Sequence, residues 1–101
     1  MTRAGIFREV AAERHRQLLI WNRAHSHGYG DCSSPLVPAM VKVAVLTEEV
    51  GEVARAALEL NPDQMRAELI QVAAVAVAMI EGIDAPPLDS TTGMPIGSKH
   101  A

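Results

Sequence analysis

The sequence predicts an all-α protein, an antiparallel helical bundle completed by oligomerisation. Of its 101 residues, 49% are hydrophobic but only 3% are aromatic, so the core must consist of Ala, Val, Leu, Ile and Met. A chain of this length forms one small domain that buries limited apolar surface on its own. Residues 72–80 are apolar on every side, and a soluble helix without a polar face is buried all round. We therefore expect a second subunit to pack against them.

The first predicted helix covers residues 4 to about 25. Apolar residues recur along it at helical spacing and form two neighbouring stripes that become polar partway. The stripes consist of Ile6, Val10, Glu13, Gln17 and Ile20, and of Phe7, Ala11, Arg14, Leu18, Trp21 and His25. Residues 26–35 then collect Gly, Ser, Asp and Pro, which predicts a loop.

Two further helices are predicted on either side of the sequence Asn61-Pro62-Asp63. The second helix runs from about residue 38 to 60, and the third from about 63 to 82. Pro62 suits the first turn of a helix, and Asp63 favours the positive end of its dipole. Residues 1–84 form the predicted helical domain, and residues 85–101, rich in Pro, Gly, Ser and Thr, predict a flexible C-terminal tail.

Composition and charge exclude several classes of protein. The net charge is −3 and no block of Lys or Arg occurs, so binding to duplex nucleic acid is not expected. The longest apolar tract, residues 69–80, is too short to cross a bilayer, so no membrane partner is expected. The single Cys32 has no partner for a disulfide, and the first residues lack a secretory apolar region. We expect a cytoplasmic protein.

Acidic residues recur at matched positions on the second and third helices. Glu49 and Glu52 are three residues apart, and Glu68 and Gln71 repeat that spacing. In an antiparallel hairpin that turns at residues 61–63, position 49 faces 71 and position 52 faces 68. The alternative to a metal site is that these acidic residues form an ordinary solvent-exposed helix face, but residues 41–57 are otherwise largely apolar. Oxygen-bearing side chains that converge in this way suit Mg²⁺.

These residues resemble the motif of the MazG-like, all-α nucleoside triphosphate pyrophosphohydrolases. The family has ExxE on one helix and ExxD on the next. Glu49-Val-Gly-Glu52, preceded by Glu48, is similar to the first half, and Glu68-Leu-Ile-Gln71 is similar to the second half with Gln71 in place of Asp. The resemblance covers roughly residues 8–84.

The resemblance implies Mg²⁺-dependent hydrolysis of a nucleoside triphosphate between its α and β phosphates, which gives the monophosphate and pyrophosphate. Mn²⁺ is a candidate substitute. Glu49 is expected both to bind the metal and to belong to the catalytic pair with Glu48, which could be an outer ligand or a general base. The remaining implied metal ligands are Glu52, Glu68 and Gln71.

Four side chains, Arg14, Gln17, Trp21 and Lys42, are the first candidates for binding substrate. Arg14, Gln17 and the neighbouring Arg16 could meet phosphate or base edges, with surface solvation as the alternative for at least one of the arginines. The arrangement of Arg and Gln before Trp21 is similar to a pattern on the first helix of some MazG-like proteins. Trp21 could stack on a nucleobase or anchor the core or a subunit interface. Lys42, two turns before Glu49, could contact a phosphate or pair with a glutamate.

Two functions remain open at this point. The first is the pyrophosphohydrolase, working as a homodimer or homotetramer, and the retained carboxylates Glu49, Glu52 and Glu68 favour it. The alternative is a catalytically weak or inactive MazG-like helical oligomer that binds nucleotide or a protein partner. Gln71 favours the alternative, because its amide brings no negative charge to a metal.

Overall fold

Helices form most of the structure. The computed structural model describes residues 2–87, 89 and 91–92, which contain α1 (Arg3–Trp21), β1 (Ala24–His25), β2 (Gly28–Tyr29), α2 (Ala39–Leu58) and α3 (Pro62–Asp84). The predicted all-α class is confirmed. Most of the predicted flexible tail, residues 85–101, lies outside the described residues. Within the part of the chain that is described, no helix is long and apolar enough to cross a membrane.

Helix α1 starts at a side-chain cap and ends earlier than predicted. The hydroxyl of Thr2 accepts a hydrogen bond from the Gly5 N–H at 3.1 Å, which satisfies one of the free amides of the first turn. After Trp21 the chain turns, and the Arg23 N–H donates to the Trp21 carbonyl at 2.7 Å. The prediction that the helix continues to about residue 25 was therefore wrong, and His25 lies in β1 instead.

The segment after α1 is a short β hairpin. Ala24 pairs with Tyr29 and His25 pairs with Gly28 in antiparallel register. Gly28 has φ 136°, and a Cβ there would lie 2.1 Å from the Leu36 carbonyl oxygen, so this position requires glycine. The His25 Nε2 donates to the Gly30 carbonyl at 2.7 Å, a contact that ties the strand ends together.

The turn between α2 and α3 has well-formed caps on both sides. The Asn61 N–H donates to the Ala56 carbonyl at 3.0 Å and the Leu60 N–H to Ala57 at 3.1 Å. This is a Schellman motif, and its left-handed residue is Leu60, with φ 53°, instead of the usual glycine. The Asn61 side chain accepts from the Gln64 N–H at 3.0 Å, and Pro62 occupies the first turn of α3 as predicted.

The helical hairpin of α2 and α3 is the main packing unit, and α1 packs on α3. Small side chains form the centre, since Ala56, Ala74 and Ala78 are almost completely buried. Among the described residues, no large side chain is fully buried. The segment predicted to be buried on every side is only partly covered in one chain, because Val77 and Ile80 are 39% and 56% exposed.

Arg14 joins three parts of the fold. Its guanidinium forms an ion pair with Asp31, in the segment after the hairpin, and its Nε donates to Glu81 of α3 at 2.6 Å. The side chains of Arg14 and Asp31 are 11% and 4% exposed, so this pair is largely desolvated. Ser33 also donates to Asp31, through its N–H at 3.0 Å and its hydroxyl at 2.6 Å. Arg14 therefore fixes the position of α1 against both segments.

We expect Arg14→Ala to lower the free energy of unfolding by about 3 kcal/mol, because it leaves the buried Asp31 carboxylate without a charged partner. Urea denaturation at neutral pH followed by circular dichroism measures this. Arg8→Ala, an exposed residue of the same helix, is the matched control and should change stability by less than about 0.5 kcal/mol. Equal stabilities of the two variants would contradict the structural role of Arg14.

Candidate functional site

A cavity of about 460 Å³ opens between the second half of α1, the hairpin segment, and the facing sides of α2 and α3. We call it the large cavity. Its volume lies within the range of small-molecule sites. Apolar side chains contribute one part of its wall, and polar or aromatic side chains contribute the other. The apolar part is Val37, Val41, Ala44, Val45 and Val75, and the helices add Arg16, Gln17, Trp21, Glu48, Glu49 and Gln71.

The large cavity brings together five of the residues predicted from three separate segments. Gln17 and Trp21 are four residues apart on α1 and so share one face of that helix. Glu48 and Glu49 reach the cavity from α2, and Gln71 reaches it from the antiparallel α3. Candidate substrate-binding residues and candidate acidic residues therefore border the same space.

Four other predicted residues lie elsewhere. Arg14 is held by Asp31 and Glu81 and does not line the large cavity. The Lys42 Nζ lies beside the end of α3, where it would be 3.3 Å from a Cβ placed on Gly82.

The other two carboxylates of the predicted metal site differ in their surroundings. Glu52 is exposed on α2. Glu68 is half-buried, and its Oε1 accepts a hydrogen bond from the Gln64 Nε2 at 2.7 Å. Neither lines the large cavity as described.

Glu49 has the most unusual environment of the acidic residues. Its Oε2 is buried and has no hydrogen-bond partner among the described residues. Burial raises the pKa of Glu49 above its ordinary value, and the charge of Glu68 and a hydrogen bond to it raise the pKa further. The charges of Glu48 and Glu52 act in the same direction. The helix pair thus brings Glu49 close to Glu68. The predicted facing position on α3 was 71, which is three residues further along that helix.

This environment suits a cation only in part. Within the described ranges, no group of three or more His, Cys, Asp or Glu side chains is arranged to hold a metal ion. The unpartnered Oε2 of Glu49 and its repulsion from Glu68 nevertheless fit a positive charge, which would supply the missing partner and favour the ionised carboxylates. The predicted donor set, three carboxylates and the Gln71 amide, is of the oxygen type that Mg²⁺ accepts, but the described side chains do not gather around one point.

Trp21 forms the aromatic end of the large cavity. Its side chain is 42% exposed, so it is not a core residue of the single chain. The Arg23 guanidinium carbon lies 4.9 Å from the indole centroid, and the His25 ring packs against the indole at 5.6 Å with an interplanar angle of 83°. These neighbours fix the indole beside the cavity.

Sequence reasoning did not place several residues that line the large cavity. The hairpin segment contributes them because it folds back over α1, a tertiary arrangement with no local signal. They are His25, His27, Gly30, Asp31, Cys32 and Val37. Arg16, which the sequence offered together with Arg14 and Gln17, also lines the cavity.

Comparison with known proteins gives no match to a family model, to a curated protein or to a solved structure. The resemblance to the MazG-like family therefore depends on the residues of this chain. Five of the predicted residues border one cavity, and this is the structural observation that bears on function.

We expect Glu49→Gln to raise the thermal unfolding midpoint by a few degrees at pH 7. A carboxyl whose pKa is raised by folding stabilises the folded state most when it is protonated, and this contribution is lost as pH rises through the folded pKa. Ionisation of Glu49 is therefore destabilising, and a neutral amide that donates to Glu68 removes that penalty. The difference between the proteins should shrink below about pH 4, where glutamate is protonated in both states.

Glu52→Gln is the matched comparison for this measurement, because Glu52 is exposed and is the last of the causes that act on Glu49. Glu52→Gln should raise the thermal unfolding midpoint by less than Glu49→Gln does. A Glu49→Gln variant that is less stable than wild type at pH 7, without added metal, would contradict the described repulsion.

Proposed function

We propose that this protein is a Mg²⁺-dependent nucleoside triphosphate pyrophosphohydrolase. It cleaves between the α and β phosphates and releases a nucleoside monophosphate and pyrophosphate. The observation that carries the proposal is the large cavity, since Gln17 and Trp21 share it with Glu48, Glu49 and Gln71. Two of the four candidate substrate residues and two of the four implied metal ligands thus border one space of suitable volume.

The nucleoside occupies the end of the large cavity at Trp21. The half-exposed indole offers a face on which a base can stack, an interaction that tolerates any base. The Gln17 amide can both donate and accept hydrogen bonds and is the group that meets a base edge or a phosphate oxygen. Val41, Val45 and Val75 form an apolar wall beside the sugar.

Glu48 and Glu49 lie at the reacting end of the cavity. Glu48 is exposed and takes a proton from the attacking water. The water oxygen then forms a bond to the α phosphorus, while the bond from that phosphorus to the bridging oxygen breaks and pyrophosphate leaves with the electron pair. The residues that would hold the metal are Glu49, Glu52, Glu68 and Gln71. When bound, Mg²⁺, or Mn²⁺ as its substitute, neutralises phosphate oxygens.

We expect the wild-type protein to release pyrophosphate from at least one member of a panel of canonical and modified nucleoside triphosphates with Mg²⁺ or Mn²⁺. Glu49→Gln should lower kcat by about 100-fold or more, because it removes a charge from the reacting end of the cavity. Glu59→Gln, at the end of α2 and outside the cavity, should keep full activity.

This experiment separates loss of chemistry from loss of folding, since Glu49→Gln is expected to be more stable than wild type. No pyrophosphate from any triphosphate with either metal would contradict the proposal. Equal activity of Glu49→Gln and Glu59→Gln would also contradict it.

The proposal includes assembly into a homodimer or homotetramer. Six large apolar side chains on α2 and α3 form what we call the outer face, and each is 39% exposed or more. In the antiparallel hairpin, Met40 lies level with Ile80 and Val43 level with Val77, so the surface is continuous across both helices. Covering it with the same face of a second copy makes a four-helix arrangement. The six are Met40, Val43, Val50, Leu69, Val77 and Ile80.

We expect light scattering to give the wild-type protein at least twice the mass of one chain. Val43→Asp should shift it towards the monomer, because a charge at the centre of a buried apolar interface lacks a partner. Leu60→Asp is the matched control, since Leu60 is 88% exposed at the turn and lies outside the outer face. A monomeric wild type at micromolar concentration would contradict the assembly.

A second candidate function is a catalytically inactive helical oligomer that binds nucleotide or a protein partner. Two observations favour it: the amide of Gln71 at the position of the motif Asp, and the lack of a three-residue metal cluster in the described part of the chain. Trp21, the only tryptophan, lines the large cavity and reports binding by its fluorescence. Fluorescence quenching by triphosphates without release of pyrophosphate would favour this candidate.

A further inference from the structure

A second cavity, of about 450 Å³, lies between α1 and the first half of α3. Its volume is nearly that of the large cavity, and we call it the small cavity only because fewer residues line it, 9 against 16. Two of the residues that line it, Arg16 and Gln71, also line the large cavity. The two cavities are therefore neighbours, and these two side chains stand at their junction.

The junction is where a positive charge reaches the large cavity. Of the described residues that line the large cavity, Arg16 is the only arginine or lysine. Three carboxylates line the same cavity, and only Asp31 is neutralised in place, by Arg14. Glu48 and Glu49 leave the reacting end acidic. An anionic phosphate chain entering from Trp21 therefore finds a cationic side chain at Arg16, which a guanidinium suits well.

Contacts with Glu13 orient the Arg16 side chain. Its Nε and Nη2 donate to the two carboxylate oxygens of Glu13, both at 2.7 Å, and this pairing holds the pKa of Glu13 below its ordinary value. A guanidinium has five N–H donors, so three remain free for phosphate oxygens. The Arg16 side chain is 54% exposed whereas that of Glu13 is 14% exposed. Gln17 also donates to Glu13, at 3.3 Å, so one carboxylate positions both groups.

The small cavity beyond the junction is acidic. Arg66 lines it and makes a two-point contact with Glu9, with N–O distances of 3.0 and 2.5 Å. Glu9, Glu13 and Asp63 line the same cavity, so three carboxylates oppose two arginines there, and the path for a phosphate chain ends at Arg16. Gln71 contributes a neutral amide at the junction. A carboxylate in its place would put a negative charge directly beside a passing phosphate. This repulsion explains why an amide is favourable at position 71.

We propose that Arg16 binds the β and γ phosphates of the substrate. The proposal rests on the pyrophosphohydrolase function. The phosphate chain runs from the large cavity past Gln71 to Arg16, while the nucleoside and its α phosphate stay in the large cavity. Arg16, rather than the structural Arg14, is then the arginine of α1 that contacts substrate.

Binding measured by Trp21 fluorescence tests the assignment without requiring turnover. The probes are the α,β-methylene analogues of ATP, GTP, CTP and UTP with Mg²⁺, and the four corresponding monophosphates. Arg16→Ala should weaken binding of the best triphosphate analogue by about tenfold to a hundredfold, since a charge-assisted contact is lost. It should change the Kd of the monophosphate by less than about twofold, because the contact is only to the β and γ phosphates.

Two further variants make the test specific. Arg16→Lys keeps the charge but not the fork of donors, so it should fall between wild type and Arg16→Ala. Arg8→Ala removes an exposed arginine of α1 that lines neither described cavity and should bind both probes as wild type does. Circular dichroism checks that each variant is folded.

Each outcome decides between the two proposals. Equal weakening of triphosphate and monophosphate, or no weakening, overturns the assignment of Arg16 while the function stands. Selective weakening in a protein that releases no pyrophosphate supports Arg16 and overturns catalysis. A folded wild type that binds none of the probes overturns both.

Discussion

The proposed cation site depends on one unfavourable interaction, between the Glu49 and Glu68 carboxylates of α2 and α3. Small residues at the centre of the helix pair, such as Ala56 and Ala74, let the two helices pack closely. This packing buries the Oε2 of Glu49 where no side chain in the described ranges satisfies it. The folded chain therefore maintains a local excess of negative charge that a cation, with the phosphates it accompanies, would relieve.

Helix α1 contributes the wall of the large cavity at which we propose that the nucleoside binds. Arg14 is the residue that fixes α1, since it joins the segment after the hairpin to the end of α3. Arg16 is two positions further on, which turns it about 200° around the helix. Two arginines so close in sequence can therefore have separate tasks, one in the structure and one towards the cavities. Gln17 and Trp21 depend on the first arginine for their position.

Local chemistry made the second and third helices predictable. The turn at residues 61–63 combines a capping Asn, a Pro that opens a helix and an Asp in the first turn, and each signal acts within a few residues. The antiparallel geometry of that turn also predicted that Glu49 would face Gln71 and that Glu52 would face Glu68. In the structure Glu68 is instead the acidic residue of α3 that acts on Glu49. That depends on the rotation of each helix about its axis, which packing with α1 and the core sets.

The errors of sequence reasoning arise from long-range contacts. Helix α1 ends early because the chain enters a hairpin that needs the glycine at position 28 to pass close to Leu36, and this closeness exists only in the folded protein. Arg14 looked like a substrate residue because its partners, Asp31 and Glu81, are 17 and 67 residues away. No pattern of residues close together in the sequence predicts ion pairs between positions so far apart.

Paramagnetic broadening by Mn²⁺ tests the central claim most directly, because its effect falls steeply with distance from the bound ion. In a ¹H–¹⁵N spectrum of the labelled protein with a triphosphate analogue, we expect the amide signals of Glu49, Glu68 and Gln71 to broaden first. Signals around Glu59 and Asp63, acidic residues on either side of the turn, should broaden only at higher Mn²⁺ concentration. Strongest broadening at the turn, or uniform broadening along α2 and α3, would contradict a cation held between the two carboxylates.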